Sequence, residues 1–291
     1  LGTEEEDEKD PEMPREEHTD YRSVSGVAQF LSGDRLDIKF AVKEVLRESA
    51  HLRRSTWTRL KRLGRYLKRV PRYVTMFRWQ TKGSRTMKIG VDASHAGCQR
   101  TRKSTTGVLI TLGHHLLCDQ SATQGRVRQS SGEAEYAAMV KGVAEGLFVK
   151  NILKFLGESV ELELETDSTA AIGTAKRLGA GKKMRHMETE AFFLQGLIRQ
   201  KEISIKKLGT EHPPDIATKH LPWSQMCKLL GMLDVKMLTL AGAAVLPAAD
   251  AQVVQRHYQR AATAVAEMKR RGGSADFVEV AKTLLACYGV C

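Results

Sequence analysis

Between residues 87 and 222 the hydrophobic pattern changes period repeatedly, and that succession restricts the segment to a layered α/β architecture. Met87–Asp92 alternates toward a strand, Thr106–Leu117 gives a second, and Leu117–Gln124 a third. Gly113-His114-His115 interrupts the second pattern as a turn that could move a strand boundary. A long helix is expected from about Ser131 to Phe155. Its buried stripe is read as Ala137, Ala138, Ala144, Phe148, Ile152 and Phe155, and Gly157 marks its stop. Val160, Leu162 and Leu164 alternate with Glu161, Glu163 and Glu165, the pattern of a half-buried strand. A short helix opens at Asp167, another spans Met187–Arg199, Ile203–Leu208 is a final strand, and Asp215 opens the last helix.

Four carboxylates stand at the junctions of these elements: Asp92, Glu135, Asp167 and Asp215. A side chain at a junction can leave the core and reach a shared pocket. Two divalent ions about 3.5–4 Å apart, held by hard oxygen ligands, clamp the attacking and leaving oxygens of a phosphodiester. Each acid also has a purely structural reading. Asp92 could be a turn residue, and Asp167 and Asp215 (after Pro213-Pro214) could be helix N-caps. Glu135 competes with Glu133 for the site. Ser130 and Glu133 have the Ser-x-x-Glu spacing of a capping box, in which the Glu reaches back to the cap's backbone N–H. Glu133 therefore has a structural role at the helix start. About 100° of helix per residue turns Glu135 some 200° away from it, so both cannot face one pocket.

The net charge of +12 is unevenly spread. Residues 1–20 hold ten acids against Lys9 and Arg15 and are expected to be a disordered acidic lead. Residues 21–86 read as a helical, basic segment. Ile38, Ala41, Val42, Val45 and Leu46 make one amphipathic helix, with Asp37 as a possible cap. A second helix after Ser55 turns Trp57, Leu60, Leu63, Leu67 and Val70 one way and Arg62, Arg65 and Arg69 the other, until Pro71 stops it. From 35 to 90 there are 17 Lys/Arg against a handful of acids, with Tyr66, Tyr73 and Trp79 interleaved. That composition suits a phosphate backbone and implies no base-specific readout. Five cysteines without Cys-x-x-Cys spacing read as reduced intracellular thiols. The longest apolar stretch, Met237–Ala249, is about 13 residues, short of the roughly 20 that span a bilayer, so no membrane association is expected. The chain starts at Leu1 without Met or an apolar signal region, as a segment of a longer polyprotein would.

Several runs, in order, resemble the ribonuclease H domain that closes the Pol polyprotein of Copia-type retrotransposons. They are Asp92-Ala-Ser-His-Ala-Gly97, Arg102-Lys-Ser-Thr-Thr-Gly107, Ser131-Gly-Glu-Ala-Glu-Tyr-Ala137, Thr166-Asp-Ser-Thr-Ala-Ala-Ile172, Lys183-Met-Arg-His186 and Asp215-Ile-Ala-Thr-Lys219. Upstream, Tyr21-Arg-Ser-Val-Ser-Gly26, Asp37-Ile-Lys-Phe-Ala-Val42 and Lys61-Arg-Leu-Gly-Arg-Tyr-Leu-Lys68 are similar to the end of the reverse transcriptase in the same polyproteins. The resemblance covers residues 21–233. It implies an α/β, ribonuclease H-like fold over 87–222, a mixed five-stranded sheet with flanking helices, preceded by the small helical segment.

For chemistry, the resemblance implies that Asp92, Glu135, Asp167 and Asp215 bind two Mg²⁺ ions, with Mn²⁺ as a substitute, and places the ligand at the Glu before Tyr136. The expected substrate is the RNA strand of an RNA–DNA hybrid, cut during reverse transcription. Expected nucleic-acid contacts are Arg62, Arg65, Arg69, Arg102, Lys103 and Ser104. His212 lies near where related nucleases carry a mobile histidine that helps product leave; His95 and His186 are weaker candidates, and His114-His115 reads as a turn. The expected partner is the remainder of the Pol polyprotein, reverse transcriptase included, in a cytoplasmic particle or the nucleus, not secreted. His95 stands where the family commonly has Trp, Gly132 where it has Thr, and the loop from Thr210 to Asp215 is one residue short. None of these removes a ligand. The alternative is a catalytically decayed scaffold that keeps the fold and binds nucleic acid. The reverse transcriptase's Tyr-x-Asp-Asp motif is missing, so polymerase activity is not expected. Beyond Leu233 the resemblance ends, and 223–291 reads as a helical tail of unknown role, with one helix from Asp250 to Met268 and another over Phe277–Leu285.

Overall fold

The computed structural model describes residues 10–238 apart from 78–84, 99, 180, 182–185 and 210, and residue 270 besides. Trp79, Lys183-Met184-Arg185 and both helices expected in the tail lie outside the described residues. The chain divides into two compact units, one taking the residues before 75 and those after 234, the other residues 75–234. The boundary expected at 222 thus moves to 234.

In the first unit, α1 (Arg15–Leu31), α2 (Leu36–Arg47) and α3 (Arg54–Arg69) pack around a shared core. Tyr21, Val24, Ala28 and Leu31 recur at helical spacing on α1, and Trp57, Leu60, Leu63 and Leu67 do so on α3. The acidic lead therefore ends earlier than expected. Met13 is buried, the Asp10 carboxylate accepts the Ser55 N–H at 3.0 Å, and α1 begins at Arg15 with Glu16 and Glu17 in its first turn. Charge composition cannot reveal that the helix carrying these acids has an apolar face. Asp37 is not a cap either: Arg35 occupies that place, and the Asp37 carboxylate takes the Arg35 guanidinium and the Tyr66 hydroxyl, both at 2.6 Å. Arg62, Arg65 and Arg69 stand exposed on α3. After Pro71, β1 (Arg72–Thr75) pairs with β7 (Val235–Leu238).

The second unit is built on β2 (Thr86–Ser94), β3 (Thr105–Leu112), β4 (His115–Thr123), β5 (Glu161–Thr166) and β6 (Ile203–Lys207), in the order β4-β3-β2-β5-β6. The β4-β3-β2 part is antiparallel, and β2-β5 and β5-β6 are parallel. Parallel neighbours need crossovers. The helix α4 (Ser131–Phe155) supplies the first, and α5 (Thr169–Lys176) with α6 (Glu188–Arg199) supplies the second. Gly113, at φ 61°, closes the β3–β4 turn and moves the strand boundary to His115.

On α4 the buried stripe differs from the expected one. Met139 and Val143 face the sheet beside Gly142 and Gly146, whose missing side chains make room for Val91 and Ile89. That seam fixes which face of the helix is buried. Ala144, Phe148, Ile152 and Phe155 fall outside it and are exposed. The last expected helix also splits. A single 3-10 turn, Pro213–Ala217, carries Asp215, and α7 (Trp223–Gly231) starts only after Pro222, since proline disfavours helix in the residue before it.

Candidate metal centre

Each acid reaches the pocket by its own route. Asp92 projects from β2 opposite Gly107 of β3 and is 2% exposed. Glu135 lies in the second turn of α4, 8% exposed, where the Ala93 backbone donates to it. Asp167 follows the last residue of β5, and the cap of α5 is Ser168, whose hydroxyl accepts the Ala171 N–H at 3.2 Å. Asp167 is thereby free of the capping role its sequence position suggested. Asp215 sits on the 3-10 turn, and its carboxylate meets the Lys219 ammonium at 2.8 Å.

Ligand oxygens of Asp92, Glu135 and Asp167 lie within 4.8 Å of one another, as do ligand atoms of Asp92, His212 and Asp215. Asp92 belongs to both groups. His212, expected in a loop, is 1% exposed, and its Nε2 lies 3.9 Å from Asp92, 3.7 Å from Asp167 and 3.9 Å from Asp215. Among the described residues neither of its ring nitrogens has a hydrogen-bond partner, and the buried Glu135 Oε2 has none either.

The pocket is short of positive charge. Burial first, then the fields of Asp92 and Asp167, push the Glu135 carboxyl up to about 8. Burial and Asp92 also raise Asp215, against the opposing Lys219 contact. Burial would lower the Lys219 ammonium, but its bond to Asp215 and the charge of Asp92 outweigh that and raise it. An unpartnered carboxylate oxygen, an unpartnered imidazole, two crowded ligand groups and raised acid pKa values are features that bound divalent cations would relieve. The residues present therefore fit divalent ions: Asp92, Glu135 and Asp167 around one position, and Asp92 and Asp215, with His212 beside them, around the other.

Glu133 stays out of this pocket. Its N–H bonds the Ser130 hydroxyl at 3.2 Å, while its carboxylate accepts the Gln129 N–H at 2.9 Å. The capping box is present with its return bond one residue earlier than Ser130. His186 Nε2 lies 3.3 Å from the same carboxylate, and His95 Nε2 contacts the Arg128 carbonyl, so both histidines are engaged elsewhere. Of the contacts expected for nucleic acid in the β2–β3 loop, Arg102 is exposed and Lys103 half-buried. Ser104 is fully buried, and its hydroxyl accepts the Ala96 N–H, so it shapes the loop from inside instead of lining its surface.

Two residues of the pocket were not singled out from sequence. Thr218 donates its hydroxyl to Asp92 Oδ2, and Lys219 lies 3.5 Å from Asp92 Oδ1. The i, i+4 spacing of Asp215 and Lys219 is a signal that could have found the second. Nothing local points to the first.

The strand order, with one antiparallel half and one parallel half flanked by helices, defines a ribonuclease H-like fold. Homologues of the chain are retrovirus-related Pol polyproteins of plant Copia-type transposons. The polyprotein of transposon TNT 1-94 of Nicotiana tabacum is 30% identical over 204 residues, covering 68% of this chain and 15% of the relative. That of transposon RE2 of Arabidopsis thaliana is 26% identical over 208 residues, covering 70% and 14%. The chain thus spans about one-seventh of these relatives' length. No family model matches it. Solved structures similar to part of it include LC11-RNase H1 isolated from compost, at 15% identity, TM-score 0.34, covering 51% of this chain and 92% of that one. RNase H1 of Halobacterium salinarum NRC-1 gives 17%, 0.32, 43% and 86%.

Proposed function

We propose that this chain is a metal-dependent endonuclease that cuts the RNA strand of RNA–DNA hybrids during reverse transcription, alongside the rest of a Pol polyprotein inside the cell. The observation that carries this reading is the meeting of four acids from four separate elements, with Asp92 shared by two ligand groups. Two Mg²⁺ ions in that pocket would activate a water and stabilise the departing 3′ oxygen, leaving 5′-phosphate and 3′-hydroxyl ends.

The chain's own residues prepare for that chemistry. Thr218 fixes the rotation of the Asp92 carboxylate by bonding one oxygen and leaving the other toward the pocket. Lys219 holds Asp215 and partly neutralises the two aspartates. Burial of Asp92, Glu135 and Asp215 excludes water that would screen their charges. A hybrid carries 2′-hydroxyls on one strand only, displayed in a wide minor groove, which gives a protein the means to choose the RNA strand. The exposed arginines of α3 and of the β2–β3 loop supply phosphate contacts without base readout.

The test is a labelled hybrid incubated with the protein in Mg²⁺, Mn²⁺ or chelator. Cleavage of the RNA strand in metal and not in chelator supports the proposal. An intact RNA strand in every metal, with the protein folded and bound, supports the scaffold instead.

A further inference from the structure

A glycine inside a strand weakens it and often marks a place where another backbone comes close. Gly107 is such a residue. It lies directly opposite Asp92 on one side and Ser121 on the other, so Asp92, Gly107 and Ser121 form one row across β2, β3 and β4. Directly opposed residues in antiparallel strands point to the same face, and Gly90, two residues before Asp92, points there as well. The 3-10 turn lies on this face. A Cβ at Gly107 would sit 2.7 Å from Thr218 Cγ2, 2.9 Å from the Pro214 carbonyl oxygen and 3.0 Å from Ala217 Cβ. One at Gly90 would sit 3.0 Å from Pro214 Cγ. On either side of the gap the row grips the turn: the Ser121 hydroxyl donates to the Ala217 carbonyl at 2.5 Å, and Asp92 accepts from Thr218.

We propose that the Asp92–Gly107–Ser121 row is a seat that positions the 3-10 turn, and that Gly107 is the positioning residue on which the placement of Asp215 against Asp92 depends. The proposal rests on the metal-centre reading for its consequence, but not for the seat itself. Asp215 is carried on this turn and Lys219 follows it two residues later. Their distance from Asp92 is set by how closely Pro214, Ala217 and Thr218 approach the sheet. A methyl at 107 meets a carbonyl oxygen, which cannot rotate away as a flexible side chain would. The turn must lift, and Asp215 with it, while Asp92, Glu135 and Asp167 stay in place on their own elements.

The experiment compares Gly107→Ala with wild type by amide hydrogen exchange and by Mn²⁺ binding followed by electron paramagnetic resonance. Gly173→Ala serves as a control, since nothing lies within 4 Å of a Cβ there. The amides of Asp215, Thr218 and Lys219, bonded to the His212 and Asp215 carbonyls, report the turn. Expected in Gly107→Ala is protection of these amides reduced about tenfold or more, with β2 and β5 unchanged. One Mn²⁺ position should weaken by about tenfold or more while the other is kept, the range that loss of a supporting contact produces. Adding Ala217→Gly and Thr218→Ser, which removes two of the three obstructing groups and keeps the hydroxyl, should restore only part of both, because the Pro214 carbonyl oxygen stays in the way. Unchanged exchange over 212–219 overturns the seat. If Gly107→Ala does not fold, Ser121→Ala decides: it adds no bulk, and unchanged exchange there overturns the seat equally. A wild type that binds no Mn²⁺ sinks the metal reading, and the exchange arm still judges the seat.

Discussion

Replacing Glu135 by Gln should stabilise the metal-free protein at alkaline pH and change its stability by less than about 1 kcal/mol near pH 5. An ordinary glutamate titrates near 4.5, and burial beside Asp92 and Asp167 moves this one to about 8. Because the folded value is the higher one, the stability contributed by the neutral carboxyl is fully present below about pH 4.5 and is lost as pH rises through about 8. At about 1.4 kcal/mol per tenfold change, the whole difference is about 4–5 kcal/mol, an upper bound because the pocket can relax around the charge. Urea melts in chelator at about pH 5 and about pH 9 measure it, read as the difference between variant and wild type. Asp215 is raised in the same sense, but it is common to both proteins and drops out of that difference. A gain of roughly 2–4 kcal/mol at the higher pH is expected for the variant, within the bound set by linkage. Excess Mg²⁺ should abolish it, by supplying the missing positive charge to wild type. A stability difference that does not change with pH would refute the reasoning, because it would mean Glu135 ionises as freely folded as unfolded.

Asp92→Asn should bind a labelled hybrid about as well as wild type yet not cut it, since the amide keeps the Thr218 contact and removes the charge that both ligand groups share; full cleavage by this variant would be decisive against the site. Glu133→Gln should keep most cleavage, and Glu133→Ala should lower stability by about 1 kcal/mol in a urea melt, as cap losses do; an inactive Glu133→Gln beside an active Glu135→Gln would reverse the assignment. Replacing Arg62, Arg65 and Arg69 together should weaken hybrid binding and flatten its salt dependence, each phosphate contact carrying about 0.9 of log–log slope on a B-form duplex; an unaltered slope would remove α3 from the binding surface.

Periodicity was enough to place the five strands of the mixed sheet and α4 because it reports which side of a strand or helix is apolar, and α4 runs from Ser131 to Phe155 as its pattern indicates. It misjudged the second half of that helix because large apolar side chains do not reveal which face meets the sheet. Two glycines decided that, and they leave no mark in a hydrophobic pattern. The acidic residues 10–20 misled in the opposite way, by charge that hides the buried Met13. Asp92, Glu135, Asp167 and Asp215 were legible as acids on four separate elements, but Asp92 stands inside β2 and Glu135 a turn into α4, not at the junctions expected for them. The burial of His212 and the Thr218 contact were not legible, because they arise only when a short turn settles on strands far away in the sequence.

Thr218 reaches Asp92 across 126 positions, and the consequence is one of timing. A growing chain emerges N-terminus first, at about 5–20 residues per second. Asp92, Glu135 and Asp167 are all made before the segment that completes the pocket, and β2 cannot pair with β5 until α4 has crossed the sheet. Whatever platform has formed by then waits for its last wall. A product that ended between residues 208 and 214 would keep the five strands of the mixed sheet and three of the acids, and would lack both Asp215 and the threonine that holds Asp92.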